Sequence, residues 1–152
     1  MKIKNWTDNN KVKINFLNDL ALIPHRGSEH AAGYDLYAAT DEEIIIPAHT
    51  TVKIGTGIAV ELPEMTFGAI FARSGLATKS GLRPANCVGV VDSDYRGEII
   101  VALHNDTDVE QKIQPQDRIA QLVVIPYLPV IFYKAELNET ERGTGGFGST
   151  GV

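Results

Sequence analysis

Disulfides are out of reach for this chain, because its 152 residues include one cysteine, Cys87. A lone thiol closes no intrachain bridge and fits a reducing compartment, so a cytoplasmic location is expected, or a nuclear or host-cell one for a eukaryotic or viral source. Cys87 stands in the apolar run Cys87–Val91 and is expected to be buried filler rather than a reactive thiol. Long apolar runs are missing as well. The N-terminal Met1-Lys-Ile-Lys-Asn-Trp6 has no core of signal-peptide length, and no stretch approaches membrane-spanning length. Positive charge is in short supply, with 14 Lys and Arg against 19 Asp and Glu and a net charge of -5. An acidic surface attracts neither nucleic acid nor an anionic membrane, so neither is expected as a partner. It leaves room for a small anion held by a few local arginines. The four histidines, His25, His30, His49 and His104, are scattered without metal-site spacing, so no zinc site is expected.

Helix-forming pattern is scarce. Only Ser74–Ser80 reads as a short helix, with serine placed to cap it. Elsewhere the pattern is β. Val12, Ile14 and Phe16 alternate with polar residues, and Val109, Gln111 and Ile113 fall in phase. Denser apolar runs lie at Ile44–Ile46, Ile58–Val60, Phe67–Phe71, Ile99–Leu103, Ile119–Ile125 and Val130–Tyr133. Pro47-Ala48-His49, Gly55-Thr56-Gly57, Pro63-Glu64, Asn105-Asp106 and Pro115-Gln116-Asp117 supply turns between them. Many short strands at this spacing predict an antiparallel sandwich or barrel of the jelly-roll kind. The length suits one domain, large enough to bury about two-thirds of its unfolded surface.

Three motif matches fail on context. Gly143-x-Gly145-x-x-Gly148 has dinucleotide-binding spacing, but too little chain follows it for the required helix. Gly75 through Lys79-Ser80 hints at a P-loop, but Thr78 stands where a glycine must precede the lysine. Asp92-x-Asp94-x-x-Gly97 starts like a calcium loop, yet Arg96 holds a ligand position and the closing glutamate is missing.

Five blocks carry chemistry. In Ala32-Gly-Tyr-Asp35-Leu-Tyr-Ala-Ala39 an acid sits among apolar neighbours; it suits a turn or cap, or a water on a hard magnesium ion. Ala72-Arg73-Ser74-Gly75-Leu76 puts an arginine and a hydroxyl at a helix start, where a phosphate fits; an empty capping box would need no arginine. In Asn86 through Gly97 a buried strand is expected to end in an acidic turn, with the next strand starting at Glu98, as in a hairpin. In Asp117-Arg118-Ile119-Ala120-Gln121-Leu122 the polar Gln121 interrupts a run heading into the core and needs a partner, either another segment or a ligand. Last comes Arg142-Gly-Thr-Gly-Gly-Phe-Gly-Ser-Thr-Gly151, half of it glycine. Such a tail cannot fold alone, but its bare N–H groups, guanidinium, hydroxyls and ring suit a polyanion that carries something flat.

These five blocks, in this order, resemble the five motifs of the trimeric deoxyuridine triphosphatase (dUTPase) family, from about Lys11 to Gly151. Ala72 stands where the family usually has proline, and Met65 where glycine is common. The resemblance implies a distorted jelly-roll β-barrel with one short helix, residues 1–140, assembled as a homotrimer with C-terminal arm exchange. Residues 141–152 would be a flexible arm that closes a neighbouring subunit's active site. Family members hydrolyse dUTP to dUMP and pyrophosphate with magnesium on the triphosphate, keeping dUTP low and supplying dUMP for thymidylate synthesis.

Carried over by position, the resemblance implies that Asp92 activates the water attacking the α-phosphorus. Arg73, Ser74, Gly75, Gln121 and Arg142 would contact phosphate, with Ser149, Thr150 and the tail amides near Gly145 and Gly146 around the γ-phosphate. Asp35 would hold Mg2+ through water. Asn86 and the backbone near Val91 would read the uracil edge, Tyr95 would pack on the deoxyribose, and Phe147 would cover the uracil. Asp94 receives no role. Two other readings share this scaffold: a dCTP deaminase, which places a glutamate as proton shuttle in the pocket, and a dUTP-responsive regulatory binding protein. The complete third block and the Arg-Gly-x-Gly-Gly-Phe-Gly tail favour hydrolysis.

Overall fold

The computed structural model of the chain describes residues 11–146. In order, its elements are β1 (Lys13–Phe16), β2 (His25–Arg26), β3 (Tyr34–Tyr37), β4 (Ile44–Ile46), β5 (Thr51–Gly55), β6 (Ile58–Glu61) and β7 (Thr66–Phe71), then α1 (Ser74–Ser80), β8 (Leu82–Pro84), β9 (Gly89–Asp92), β10 (Ile100–Asn105), β11 (Gln111–Ile113) and β12 (Arg118–Pro126). The fold among the described residues is therefore all-β with one short helix. Every strand pairing recorded there is antiparallel. The strands form a five-stranded sheet, β2-β3-β12-β7-β9, a three-stranded sheet, β5-β10-β8, and the pairs β1-β6 and β11-β4. No helix among the described residues is long and apolar enough to cross a membrane.

The apolar runs read from the sequence supply the core. Leu36, Ile46, Ile58, Leu103, Ile113 and Ile119 are fully buried in one cluster, each contributing about 1.5–3 kcal/mol over exposure. Two polar residues, Asn105 and Thr56, share that depth. Asn105 is completely buried; its Nδ2 donates to the carbonyls of Ile46, Pro47 and Val109, and its Oδ1 accepts from Thr107 N and Oγ1. It ties the end of β10 to the end of β4.

β12 sits in the middle of the large sheet, pairing β3 on one side and β7 on the other. Its register slips where it meets β3: Arg118 lies opposite Tyr37, but Ala120 lies opposite Leu36. The extra residue is a β-bulge, which re-aims the side chains beyond it. Arg118 and Gln121, three apart, would otherwise face opposite sides of a regular strand. The bulge brings both to one face, the face of Asp35.

The run Val130–Tyr133, expected as a strand, forms none here. Ile131 and Phe132 are 91% and 94% exposed, and no strand follows β12 among the described residues. A strand requires a sheet edge and an apolar face to cover, and among the described residues this segment meets neither. Val109 likewise lies outside β11 and is exposed.

Candidate active site

One half of the site is built around Asp35. Strand β3 carries this carboxylate opposite Gln121 of β12, and Gln121 lies opposite Phe71 at the end of β7. Two residues past Phe71 the chain reaches Arg73, which remains extended at φ -84° and ψ 131° before α1 begins. Arg73 Nε donates to Asp35 Oδ1 at 2.7 Å, and Arg118 Nη1 donates to Asp35 Oδ2 at 3.3 Å. Two guanidiniums on one carboxylate leave a net charge of about +1, a surplus suited to an anion. The three side chains line an open hollow of about 500 Å³ together with Ser74, Gly75 and Gln121. Gln121 Nε2 donates to the carbonyl of Ala72 at 2.8 Å, so the polar residue that interrupts this core-bound run finds its partner in another segment.

The serine expected to cap the helix does not cap it. Arg73 occupies the N-cap position without a side-chain cap bond, and Ser74 is the first helical residue. The guanidinium reaches across to Asp35 rather than back to the helix, and the Ser74 carbonyl accepts from Thr78 Oγ1.

The second half lies on β9 and the turns that flank it. A hollow of about 260 Å³ is lined by Asn86, Val91, Asp92 and Tyr95 among others. Cys87 has a φ of +63° in the turn before β9, with its N–H bonded to Pro84 O and the N–H of Val88 bonded to Asn86 O. Contrary to expectation Cys87 is exposed, and so are Val88 and Val90. Among the described residues β9 pairs only with β7 and forms the sheet edge, and none of them covers that apolar run. Only Val91 turns inward. Asp92 ends the strand, exposed, and its carbonyl accepts from Tyr95 N.

The hairpin expected around Asp92 is not one. β9 belongs to the five-stranded sheet and β10 to the three-stranded one, so residues 93–99 cross between sheets, and the strand resumes at Ile100 rather than Glu98. In that crossing the Tyr95 hydroxyl donates to Glu98 O, and Tyr95 lies against Gly97, where an added Cβ would stand 2.3 Å from the hydroxyl oxygen. The Glu98 carboxylate accepts from Gly57 N at 2.8 Å.

One chain does not bring the halves together. From Asp92 to Asp35 the path crosses β9, β7, β12 and β3 and runs four residues along β7, from Phe67 to Phe71. Three strand spacings and four residue rises separate the two Cα atoms by roughly 19 Å. The described part of the tail, residues 142–146, lines neither hollow. Arg142 Nε donates to Gly145 O at 3.0 Å, and Gly145 N donates back to Arg142 O, closing an exposed turn that runs on to Gly146. Phe147, Ser149 and Thr150 lie outside the described residues.

A family model described as dUTPase matches residues 19–151. The chain belongs to the dUTPase family. It is 51% identical over 146 residues to the deoxyuridine 5'-triphosphate nucleotidohydrolase of Desulfitobacterium hafniense (strain DSM 10664 / DCB-2), covering 93% of this chain and 97% of that one. The mitochondrial deoxyuridine 5'-triphosphate nucleotidohydrolase of Dictyostelium discoideum is 46% identical over 142 residues, 92% of this chain and 76% of that one. Among solved structures, a mutant of the Staphylococcus bacteriophage 80alpha dUTPase with dUpNHpp has a TM-score of 0.86 and 27% identity, covering 94% of this chain and 99% of that one. A mutant dUTPase from phage phi11 of S. aureus, described for its coordination of a structural Mg(II) ion, shares the fold with a TM-score of 0.77 at 24% identity, over 86% of this chain and 100% of that one.

Within this dUTPase-family chain the first, second and fourth sequence blocks meet in the Asp35 hollow, and the third block stands apart. The sequence around Arg118 carries no sign of its role. Its side-chain direction depends on the bulge at Ile119, which no local pattern announces. Asp35 is the hard carboxylate of the hollow that could hold magnesium through water, and here both of its oxygens accept from arginines. No group of three or more metal-ligating side chains occurs among the described residues.

Proposed function

We propose that this chain hydrolyses dUTP to dUMP and pyrophosphate, with each active site assembled from more than one copy. The observation that carries the proposal is the separation of a cationic hollow around Asp35, Arg73 and Arg118 from a largely uncharged slot that ends in the exposed carboxylate of Asp92. The Cα atoms of Asp92 and Asp35 lie roughly 19 Å apart across the sheet, whereas general-base work requires reach through a single water. Two copies placed side by side can supply both the base and the phosphate anchor. In the family's arrangement a homotrimer does this, each protomer a distorted jelly-roll barrel. The exposed apolar segment from Leu128 to Tyr133 leads toward the arm, residues 141–152, that would be exchanged.

The chemistry follows from the residues. Asp92 accepts a proton from the water that attacks the α-phosphorus. Arg73, Ser74, Gly75 and Gln121 take the phosphates, and Arg142 with the amides of Gly145 and Gly146 and the hydroxyls of Ser149 and Thr150 closes over the γ end, excluding water as a lid does. The Asp35 carboxylate would hold Mg2+ through water, and the ion would supply charge neutralisation on the triphosphate. Asn86 and the backbone at Val91 read the uracil edge. Cytosine would leave a buried group unpaired there, a heavy penalty. Tyr95 packs on the deoxyribose where a 2'-hydroxyl would collide, and Phe147 covers the base.

The deaminase alternative requires a glutamate free to shuttle protons. The glutamate beside this slot, Glu98, has its carboxylate tied to Gly57 N. Incubation with dUTP and with dCTP, assaying both pyrophosphate and ammonia, tests the proposal. Pyrophosphate from dUTP alone supports it, and ammonia from dCTP would replace it with deamination.

A further inference from the structure

We infer that Gly33 is a positioning residue for the triphosphate, acting through the Gln121 carboxamide; this rests on the phosphate role proposed above for Gln121. Gly33 lies just before β3 and lines the Asp35 hollow. Glycine there is not a demand of the backbone, since the glycines at positive φ are Gly57, Gly81 and Gly143. The demand is for space. A Cβ on Gly33 would stand 2.3 Å from Gln121 Oε1 and 3.2 Å from its Cδ. The carboxamide thus occupies the volume in which any other residue keeps its first side-chain carbon.

That occupancy fixes where the amide can point. On one side the missing Cβ of Gly33 receives Oε1, and on the other Nε2 donates to the carbonyl of Ala72, immediately before Arg73, Ser74 and Gly75. Gln121 therefore joins β12 to the start of the phosphate loop, and an amide nitrogen carries a second hydrogen to offer an anion. A contact with the far end of a flexible side chain relieves itself by rotation. Gly33→Ala should therefore leave the fold intact and displace the amide. Gly68 provides the contrast: its added Cβ would meet Leu122 Cδ1 at 2.7 Å and Val91 Cβ at 3.3 Å inside the packed core, where relief requires repacking.

The test is a double-mutant cycle with Gly33→Ala and Gln121→Ala, following dUTP turnover, affinity for a non-hydrolysable dUTP analogue, affinity for deoxyuridine, and thermal unfolding. Gly33→Ala should melt close to the parent and bind deoxyuridine unchanged. It should lose about tenfold to a hundredfold in kcat/KM, with weaker analogue binding, as expected when a positioned contact is displaced. The double variant should be no worse than Gln121→Ala alone, since the glycine acts only through the amide. An active Gly33→Ala beside an impaired Gln121→Ala overturns the inference and leaves the phosphate role of Gln121 standing. A further loss from Gly33→Ala in the Gln121→Ala background also overturns it. A fully active Gln121→Ala overturns the inference and the phosphate role together.

Discussion

If each site takes its phosphate anchors from one copy and its base from another, two inactive variants should rescue each other. The variants are Asp92→Asn, which keeps the Asp35–Arg73–Arg118 hollow, and Arg73→Gln, which keeps the slot on β9. Each alone should lose about 10²–10⁴ in turnover, the range for a removed general base or a removed charge stabiliser. Asp92→Asn should still bind dUTP, because its carboxylate touches no residue of the phosphate hollow in the same chain. Mix the two in equal amounts and let the copies exchange by unfolding and refolding. A working site requires Arg73 from one copy and Asp92 from its neighbour. With independent draws of one half each, about a quarter of the sites in a symmetric assembly are intact. Pyrophosphate release from the refolded mixture should then reach about a quarter of the parent's specific activity, about 25-fold to 2,500-fold above either variant. Carrying the two variants on differently tagged copies shows that the recovered activity travels with mixed assemblies. A mixture no better than its parts would mean that one chain supplies both groups, and the 19 Å argument would fall.

Tyr95→Ala removes the ring that rests on Gly97 and the bond to Glu98 O; dUTP should lose its advantage over UTP, measured as the ratio of kcat/KM values, and an unchanged ratio would move that role elsewhere. Ending the chain at Glu141 removes Arg142 and the glycine-rich end, so the assembly should persist by light scattering with little activity left, while full activity would remove the lid. Asn105→Ala acts on stability instead. The Pro47 and Val109 carbonyls keep Thr50 and Thr107 as donors, but Thr107 N–H loses the carboxamide oxygen that it bonds. Losing the five carboxamide bonds, two of whose acceptors keep another donor, and opening a small void amount to about 2–4 kcal/mol; denaturant titration should show the drop, and KM for dUTP at low temperature should not move.

The strands were legible wherever the apolar pattern was a property of the chain itself. Ile44–Ile46, Phe67–Phe71 and Ile119–Ile125 each became a strand whose buried residues join one core, and Ser74–Ser80 became the one helix. The pattern misled where burial depends on what lies alongside. The run from Cys87 to Val91 and the run from Val130 to Tyr133 are apolar enough for an interior, yet both stand largely exposed in a single chain. An apolar run records that a surface is to be covered, not which molecule covers it. Sheet membership was hidden for a similar reason. The acidic turn after Asp92 looks like a hairpin, but pairing is decided by strands distant in sequence, and β9 and β10 went to different sheets. The candidate site was half legible. Asp35, Arg73 and Gln121 meet as their blocks suggested, because residue type alone marked an acid, a cation and a polar intruder among apolar neighbours. Arg118 and Gly33 carry no such mark, one because its direction depends on a bulge and the other because its contribution is empty volume.

The central claim is that a water primed by Asp92 strikes the α-phosphorus of dUTP, and oxygen labelling measures this most directly. The reaction is run in 18O water with magnesium until each enzyme has turned over many times, and the products are weighed by mass spectrometry. The account predicts dUMP carrying one labelled oxygen and pyrophosphate carrying none. Label in the pyrophosphate would place the attack on the β-phosphorus and contradict the account.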